Sequence, residues 1–333
     1  MINNNDPAIE LTANEISNIW AGYLKSSMEL RFFEHFLSTT KDKDIKKVVE
    51  KMFNFSQKKI NELKKIFNKD HLAVPLGFTE KDIRDDAEKV FSDQLILFFC
   101  NDLTMLSMIT YPSALSDCTR KDIRDYFQMS IEHNIKIQNE ITELMLSKGI
   151  YLKPPQVSIN SELDFVENVS YLNGFFGGSR PVNTAEIANL SRIIQRAQFS
   201  KMIFVGFSQL ATEKEVKKYF RKGRDELEKV SDALREILDD ENIPVSSSSD
   251  YKLYDVKMSP FSDKLMMFYV NTCLGMFCFI MISQAMTSCL RTDIIFELNK
   301  ISKDMQKYYS QGLLLLIKEK WIEQPPQPVN RKI

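Results

Sequence analysis

The chain repeats itself, and this constrains its fold more than any other feature. An offset of 171 positions (186 − 15) pairs Glu15-Ile16 with Glu186-Ile187, Ile45-Lys46-Lys47 with Val216-Lys217-Lys218, Leu63 with Leu234 and Ile66 with Ile237. The offset is 170 (261 − 91) where Phe91-Ser92-Asp93 meets Phe261-Ser262-Asp263. It returns to 171 (289 − 118) for Cys118 with Cys289, Asp122-Ile123 with Asp293-Ile294 and Pro154-Pro155 with Pro325-Pro326. Chance can yield one such match, but not an ordered series closed by two Pro-Pro pairs. Two homologous halves follow, residues 11–155 and 184–326, joined by residues 156–183.

Within each half the apolar spacing is helical. Ile16, Ile19, Tyr23, Leu30, Phe33 and Leu37 mark a first helix, and Ile45, Val48, Val49, Met52, Ser56, Leu63, Ile66 and Phe67 a second. The pattern lapses from Asn68 to about Val90, resumes from Phe91 towards Cys118, and ends with a fourth helix from about Asp122 to Lys148. A short join makes neighbouring helices antiparallel, whereas a long link between the second and third crosses the bundle and makes those two parallel, the ferritin-like connectivity. Only 10 Gly and 11 Pro in 333 residues agree with an all-α chain built as two tandem ferritin-like four-helix bundles.

Residues 265–290 hold no charge, which is length enough to cross a bilayer. Asn271, Thr272, Ser283, Gln284, Thr287 and Ser288 within that run argue for a core helix instead, as does Asp102 in its duplicate. Membrane partnership is not expected. Because this helix is apolar around most of its circumference, one bundle core cannot cover it, and a further packing partner for its outer face is expected. The junction carries Leu163, Phe165, Val166, Val169, Tyr171, Leu172, Phe175 and Phe176, so it is expected to be packed, with Gly174, Gly177 and Gly178 turning the chain.

A formal charge of −1 without a basic block gives no basis for nucleic-acid binding. The five cysteines include no C-x-x-C and read as thiols in apolar runs of a reducing compartment. The start MINNNDPAIELT lacks the basic and apolar regions of a secretory signal, so synthesis into the cytoplasm is expected.

LTANEISNIW, VPLGFTEKDI, VFSDQL, the junction DFVENVSYLNGFFGGSRPVNTAEI, GFSQLATEKEVKKYF, SPFSDKLMMF and WIEQPPQ together resemble a family of tandem ferritin-like proteins from spore-forming Bacillus-type bacteria. That family is catalogued as a domain of unknown function (number 3231) and labelled spore-coat-like. The resemblance covers nearly the whole chain and implies the same fold and a spore-associated destination. It supplies no catalytic residues to carry over.

A ferritin-like bundle raises one chemical question, whether it holds a di-metal centre. That centre needs a Glu on each of two helices and a Glu-x-x-His on each of the other two. The three histidines, His35, His71 and His133, have Phe32, Asn68 and Ser130 three positions before them, so the motif is absent from the sequence. Glu34-His35 and Glu132-His133 are the weak metal candidates, and adjacent helical residues diverge by about 100°. No cofactor and no catalytic residue is assigned. Four polar residues in the third helices, Asn101 with Asn271 and Ser113 with Ser283, are candidates for register-fixing hydrogen bonds or a small pocket. Ser92-Asp93 and Ser262-Asp263 are candidate helix caps. The sequence therefore points to a structural or interaction protein with protein partners or self-association. The alternatives are a bundle holding a small apolar ligand and, third, an atypical metal-binding protein.

Overall fold

The structure, a computed structural model, describes residues 10–84, 86–175, 179–248 and 251–328. Eight helices account for most of it: α1 Ala13–Thr39, α2 Lys43–Lys69, α3 Asp93–Ser116, α4 Lys121–Ser147, α5 Thr184–Leu210, α6 Lys214–Asp239, α7 Asp263–Ser288 and α8 Thr292–Lys318. The chain divides into two compact units. The first gathers the described residues of Met1–Gly149, Val256–Leu265 and Lys320–Ile333; the second gathers Ile150–Asp255 and Met266–Glu319.

The helix starts are written in the sequence. Thr12 accepts the Glu15 N–H at 3.2 Å while the Glu15 carboxylate accepts the Thr12 N–H at 2.8 Å, a capping box. Asn183 and Glu186 build the same box on α5, at 2.9 Å each way. Ser92 and Ser262 cap their helices by accepting the Leu95 and Leu265 N–H groups. Asp93 serves a different helix end: it accepts from the Lys41 and Asp42 N–H groups, tying the α1–α2 turn to the start of α3. Asp263 lies buried in the first turn of α7. The helix ends repeat as well. His71 and Asn242, one repeat apart, both take positive φ (52° and 57°), as do Gly149 (69°) and Lys320 (58°).

In the first unit, α1 meets α2 with Glu29 beside Lys59 and Tyr23 beside Phe67, so the pair is antiparallel. It meets α3 with Lys25 beside Ser107 and Phe36 beside Phe99, again antiparallel. Helices α2 and α3 therefore run parallel, as the long connection requires. Ile19, Leu63, Phe67, Ile123 and Phe127 form part of a core from which water is excluded. The Val256–Leu265 segment joins this unit through an antiparallel bridge between Ile83 and Phe261. The Ser262 N–H donates to the Asp82 carbonyl and the Arg84 N–H to the Pro260 carbonyl. The Phe261 ring sits 4.8 Å from Phe32 and 5.1 Å from His35.

The second unit repeats the plan. Lys201 pairs with Glu228 and Phe207 meets Phe220 across α5–α6, and Asn189 meets Ser288 and Phe207 meets Tyr269 across α5–α7. Both pairings are antiparallel, so α6 and α7 are parallel. Helix α7 is not regular throughout: Tyr269–Leu274 forms a π-type turn between α-helical stretches. One extra residue in a helix produces such a turn, and this is where the repeat offset changes. Past it the offset is 171 (285 − 114), matching Ala114 with Ala285 and buried Tyr111 with buried Ile282. Between Leu265 and Gly275 only Phe268, Asn271 and Thr272 are even half-exposed; further on Met276, Ser283, Gln284 and Thr287 face outward.

Two helices, Asp93–Ser116 and Asp263–Ser288, are long and apolar enough to cross a membrane. Their most apolar windows are 67% and 61% buried inside the structure, the pattern of core helices.

The junction corrects the expectation of a packed segment. Leu163, Phe165 and Val169 are 87%, 76% and 79% exposed, and Ile159, Val166 and Phe175 are exposed too. The segment forms a single short turn, Val169–Leu172, and apolar composition alone does not bury a stretch that has no face to lay against a core. Its end is held within the second unit. Arg180 donates to the Tyr171 carbonyl and stacks 4.0 Å over its ring, and a Cβ on Gly174 would stand 1.8 Å from an Asp293 oxygen. Phe176, Gly177 and Gly178, assigned to the expected turn, lie outside the described residues.

Candidate functional site, a buried ion cluster inside the first bundle

The inward positions at mid-bundle are where carboxylate-bridged di-metal bundles place their ligands. In the first unit, Lys25, Glu29, Ser56, Lys59, Ser107 and Tyr111 occupy them. Glu29 and Lys59 are each only 4% exposed and meet at 2.7 Å. Lys25 pairs with the other Glu29 oxygen and donates to Ser107 Oγ at 2.7 Å. Ser56 donates to Glu29 at 3.2 Å, and Lys59 to the Tyr111 hydroxyl at 3.0 Å. Both ammonium groups also lie near the Tyr111 ring face, at 5.3 and 5.6 Å. Beside them Asn134 Nδ2 donates to the Thr104 carbonyl at 2.8 Å, and His133 stacks on Phe55 at 3.6 Å.

Burial alone would raise the Glu29 pKa, but the Lys25 and Lys59 charges and hydrogen bonds override it and hold the carboxyl at about 2. Burial would lower the Lys59 pKa, yet Glu29 leaves it raised, so the pair is ionised. Tyr111 is pushed up by burial and more strongly down by the two lysines. The space left between Glu29, Lys59, Ser107, His133 and their neighbours is about 20 Å³, room for one water.

These residues do not fit a divalent metal. Ser56-x-x-Lys59 stands where a Glu-x-x-His would be needed, and the Lys59 and Lys25 ammonium groups hold one Glu29 carboxylate oxygen each and repel a further cation. His35 is buried against Phe261, and burial lowers its pKa to about 4; Glu34 pairs instead with Arg31 at 2.9 Å. His133, also lowered to about 4 first by burial, faces Phe55, while Glu132 accepts from Gln128. Among the described residues no three of His, Cys, Asp and Glu come together as a metal would require.

The second unit fills the same place differently. The repeat puts Arg196, Ser200, Leu227, Val230 and Cys278 at the positions of Lys25, Glu29, Ser56, Lys59 and Ser107. They line an apolar space, again about 20 Å³. Arg196 lies 3.6 Å over the Phe277 ring. Nearby, Tyr219 donates to Asn271 in the π-type turn at 2.7 Å and stacks on Tyr308 at 4.4 Å. Gly223 and Gly312 make the room: a Cβ on Gly312 would stand 2.3 Å from the Tyr219 hydroxyl, and one on Gly223 2.3 Å from the Tyr308 hydroxyl. Asn101, the counterpart of Asn271, accepts from Gln138 at 3.0 Å. Both asparagines thus bond across helices, whereas Ser113 and Ser283 are exposed on the bundle surface and line no pocket.

A second charged arrangement occurs twice. Glu15 accepts the Thr119 and Arg120 N–H groups at 2.8 Å each, and Arg120 grips Asp70 and Asp122. Its repeat is Glu186 with the Leu290 and Arg291 N–H groups at 3.0 Å, and Arg291 with Glu241 and Asp293. Each locks the α3–α4 or α7–α8 turn to its unit's first helix. The sequence marks Glu15, Asp122, Glu186 and Asp293 as repeated residues but not as partners, because charges between helices read as a solvated turn, although Arg-x-Asp stands at both turns one repeat apart.

With this geometry in place, the comparisons decide the family. The family model described as protein of unknown function (DUF3231) matches residues 1–163 and again 170–333. The chain belongs to that family. One model matching twice along the chain agrees with the duplication, and the family description assigns no activity. No curated protein matches the chain. Among solved structures the chain is similar to a protein from Bacillus halodurans described as a candidate spore coat protein. The identity is 17%, the TM-score 0.41, and the match covers 45% of this chain and 98% of that one.

Proposed function

We propose that this protein is a structural or interaction component without catalytic chemistry, made in the cytoplasm and directed to the spore. The observation that carries the first part is the filling of the two bundle centres. One is closed by a Lys–Glu–Lys cluster in which Glu29 pairs with both ammonium groups, the other by mostly apolar side chains beside Arg196 and Ser200. Neither leaves open coordination positions or an activated nucleophile. Burial pushes the Cys100 thiol far up, and Cys118, Cys278 and Cys289 to about 11; such thiols are inert. The reading as a holder of small apolar ligands has little support in centres of about 20 Å³. Spore association rests on the resemblance of the junction and SPFSDKLMMF segments to spore-coat-like relatives.

Expression timing with spore fractionation tests the destination. The protein is expected to appear during sporulation and to remain with washed spores. Production confined to vegetative growth, with none in the spore fraction, would sink this part of the reading.

A further inference from the structure

Two exposed surfaces of the second unit complement each other. The first is the outward stripe of α8, where Phe296, Lys300, Lys303, Lys307, Leu314 and Ile317 recur at helical spacing and all lie exposed. The second is the junction from 162 to 167, ELDFVE, in which three acidic residues alternate with Leu163, Phe165 and Val166, every one exposed. One surface is basic and apolar, its charge carried by Lys303 and Lys307 because Lys300 pairs with Glu297 of the same helix at 3.0 Å; the other is acidic and apolar. Within a chain the junction reaches α8 further on, where the Phe175 ring stands 5.7 Å from Phe296 and Gly174 lies against Asp293. The stripe is also a property of the second repeat alone. Its counterparts on α4 include Asp125, Glu132 and Glu143, which give that helix an acidic outer face.

We infer that α8 is a docking face for a second copy of this chain, with each copy's acidic junction laid along the basic stripe of the other. Both halves of the contact are present on every chain, so a two-fold dimer satisfies two stripes and two junctions and closes without leaving an edge. Paired charges fix the register while Phe165 and Leu163 supply the apolar burial. This inference names a partner for the interaction role proposed above. The spore-fractionation result tests that role, and the association state tests this inference.

The experiment is sedimentation of the full chain under reducing conditions, across concentration and salt. A dimer is expected that weakens as salt rises. Phe165→Asp and Leu314→Asp, each at an exposed site and each checked for an unchanged helical spectrum, should weaken association at least tenfold. Lys303→Glu should do the same, and a charge reversal in the junction, Asp164→Lys with Glu167→Lys, should restore much of the loss. A chain that is monomeric throughout overturns the inference. So does a dimer indifferent to both Phe165→Asp and Leu314→Asp, or one that Lys303→Glu disrupts without rescue.

Discussion

At the residue scale, Glu29 matters most, since it holds the buried Lys59 ammonium and the half-buried Lys25 one. Glu29→Gln removes the carboxylate from the buried Lys59 ammonium and should cost about 3–5 kcal/mol, read as a drop in the midpoint of chemical denaturation. Replacing Glu29 by Leu together with Lys25 and Lys59 by Met should cost much less, because a buried ionic group exchanged whole for packed apolar side chains is often nearly neutral. The second repeat already holds Ser200 and Val230 at the Glu29 and Lys59 positions. The same carboxylates set the acid limit. Glu15, Glu29 and Glu186 each have folded pKa values of about 2 against an ordinary 4.5. A depressed carboxylate stabilises the fold above its unfolded pKa, and that stability is lost as pH falls through the folded one. Unfolding followed by circular dichroism should therefore set in between pH 4.5 and 2, and a midpoint indifferent to pH across that window would contradict the assignment. Lys320 keeps a left-handed backbone where its counterpart is Gly149, so Lys320→Gly should raise stability by about 1 kcal/mol.

At the element scale, the irregular helix α7 gives the most specific test. If the π-type turn is the extra residue of the second repeat, deleting Thr272 should return α7 to a regular helix and leave Leu274 to Ser288 in register. The protein should then fold, while deleting Cys278 turns every later side chain by about 100° and should abolish cooperative unfolding. Gly312→Ala collides with the Tyr219–Asn271 bond and should destabilise by about 1–3 kcal/mol. The helices, their order and the parallel α2–α3 pairing were legible in the sequence, because apolar spacing and link length determine them. Helix α7 was legible only as a slip in offset, since nothing in composition shows where a helix absorbs a residue. The junction was misread because apolar content was taken for burial, and in this chain those residues face outward.

At the scale of the whole molecule, two bundles from one duplication have diverged in what fills them while keeping the same frame. The frame is held by the Glu15–Arg120 and Glu186–Arg291 locks, legible as repeated residues but not as partners, because only folding brings residues about a hundred positions apart together. The ion cluster left a fainter trace: Ser56 and Lys59 interrupt the apolar stripe of α2 at its own spacing of three and four. A search for histidine and carboxylate ligands passes over a lysine there, although a buried ammonium takes the place that a metal would fill. The central claim is that this cluster closes the bundle centre. Elemental analysis after incubation with iron, manganese or zinc and gel filtration tests it directly. Far less than one metal per chain is expected, whereas stoichiometric metal that disappears in Glu29→Gln would contradict the claim.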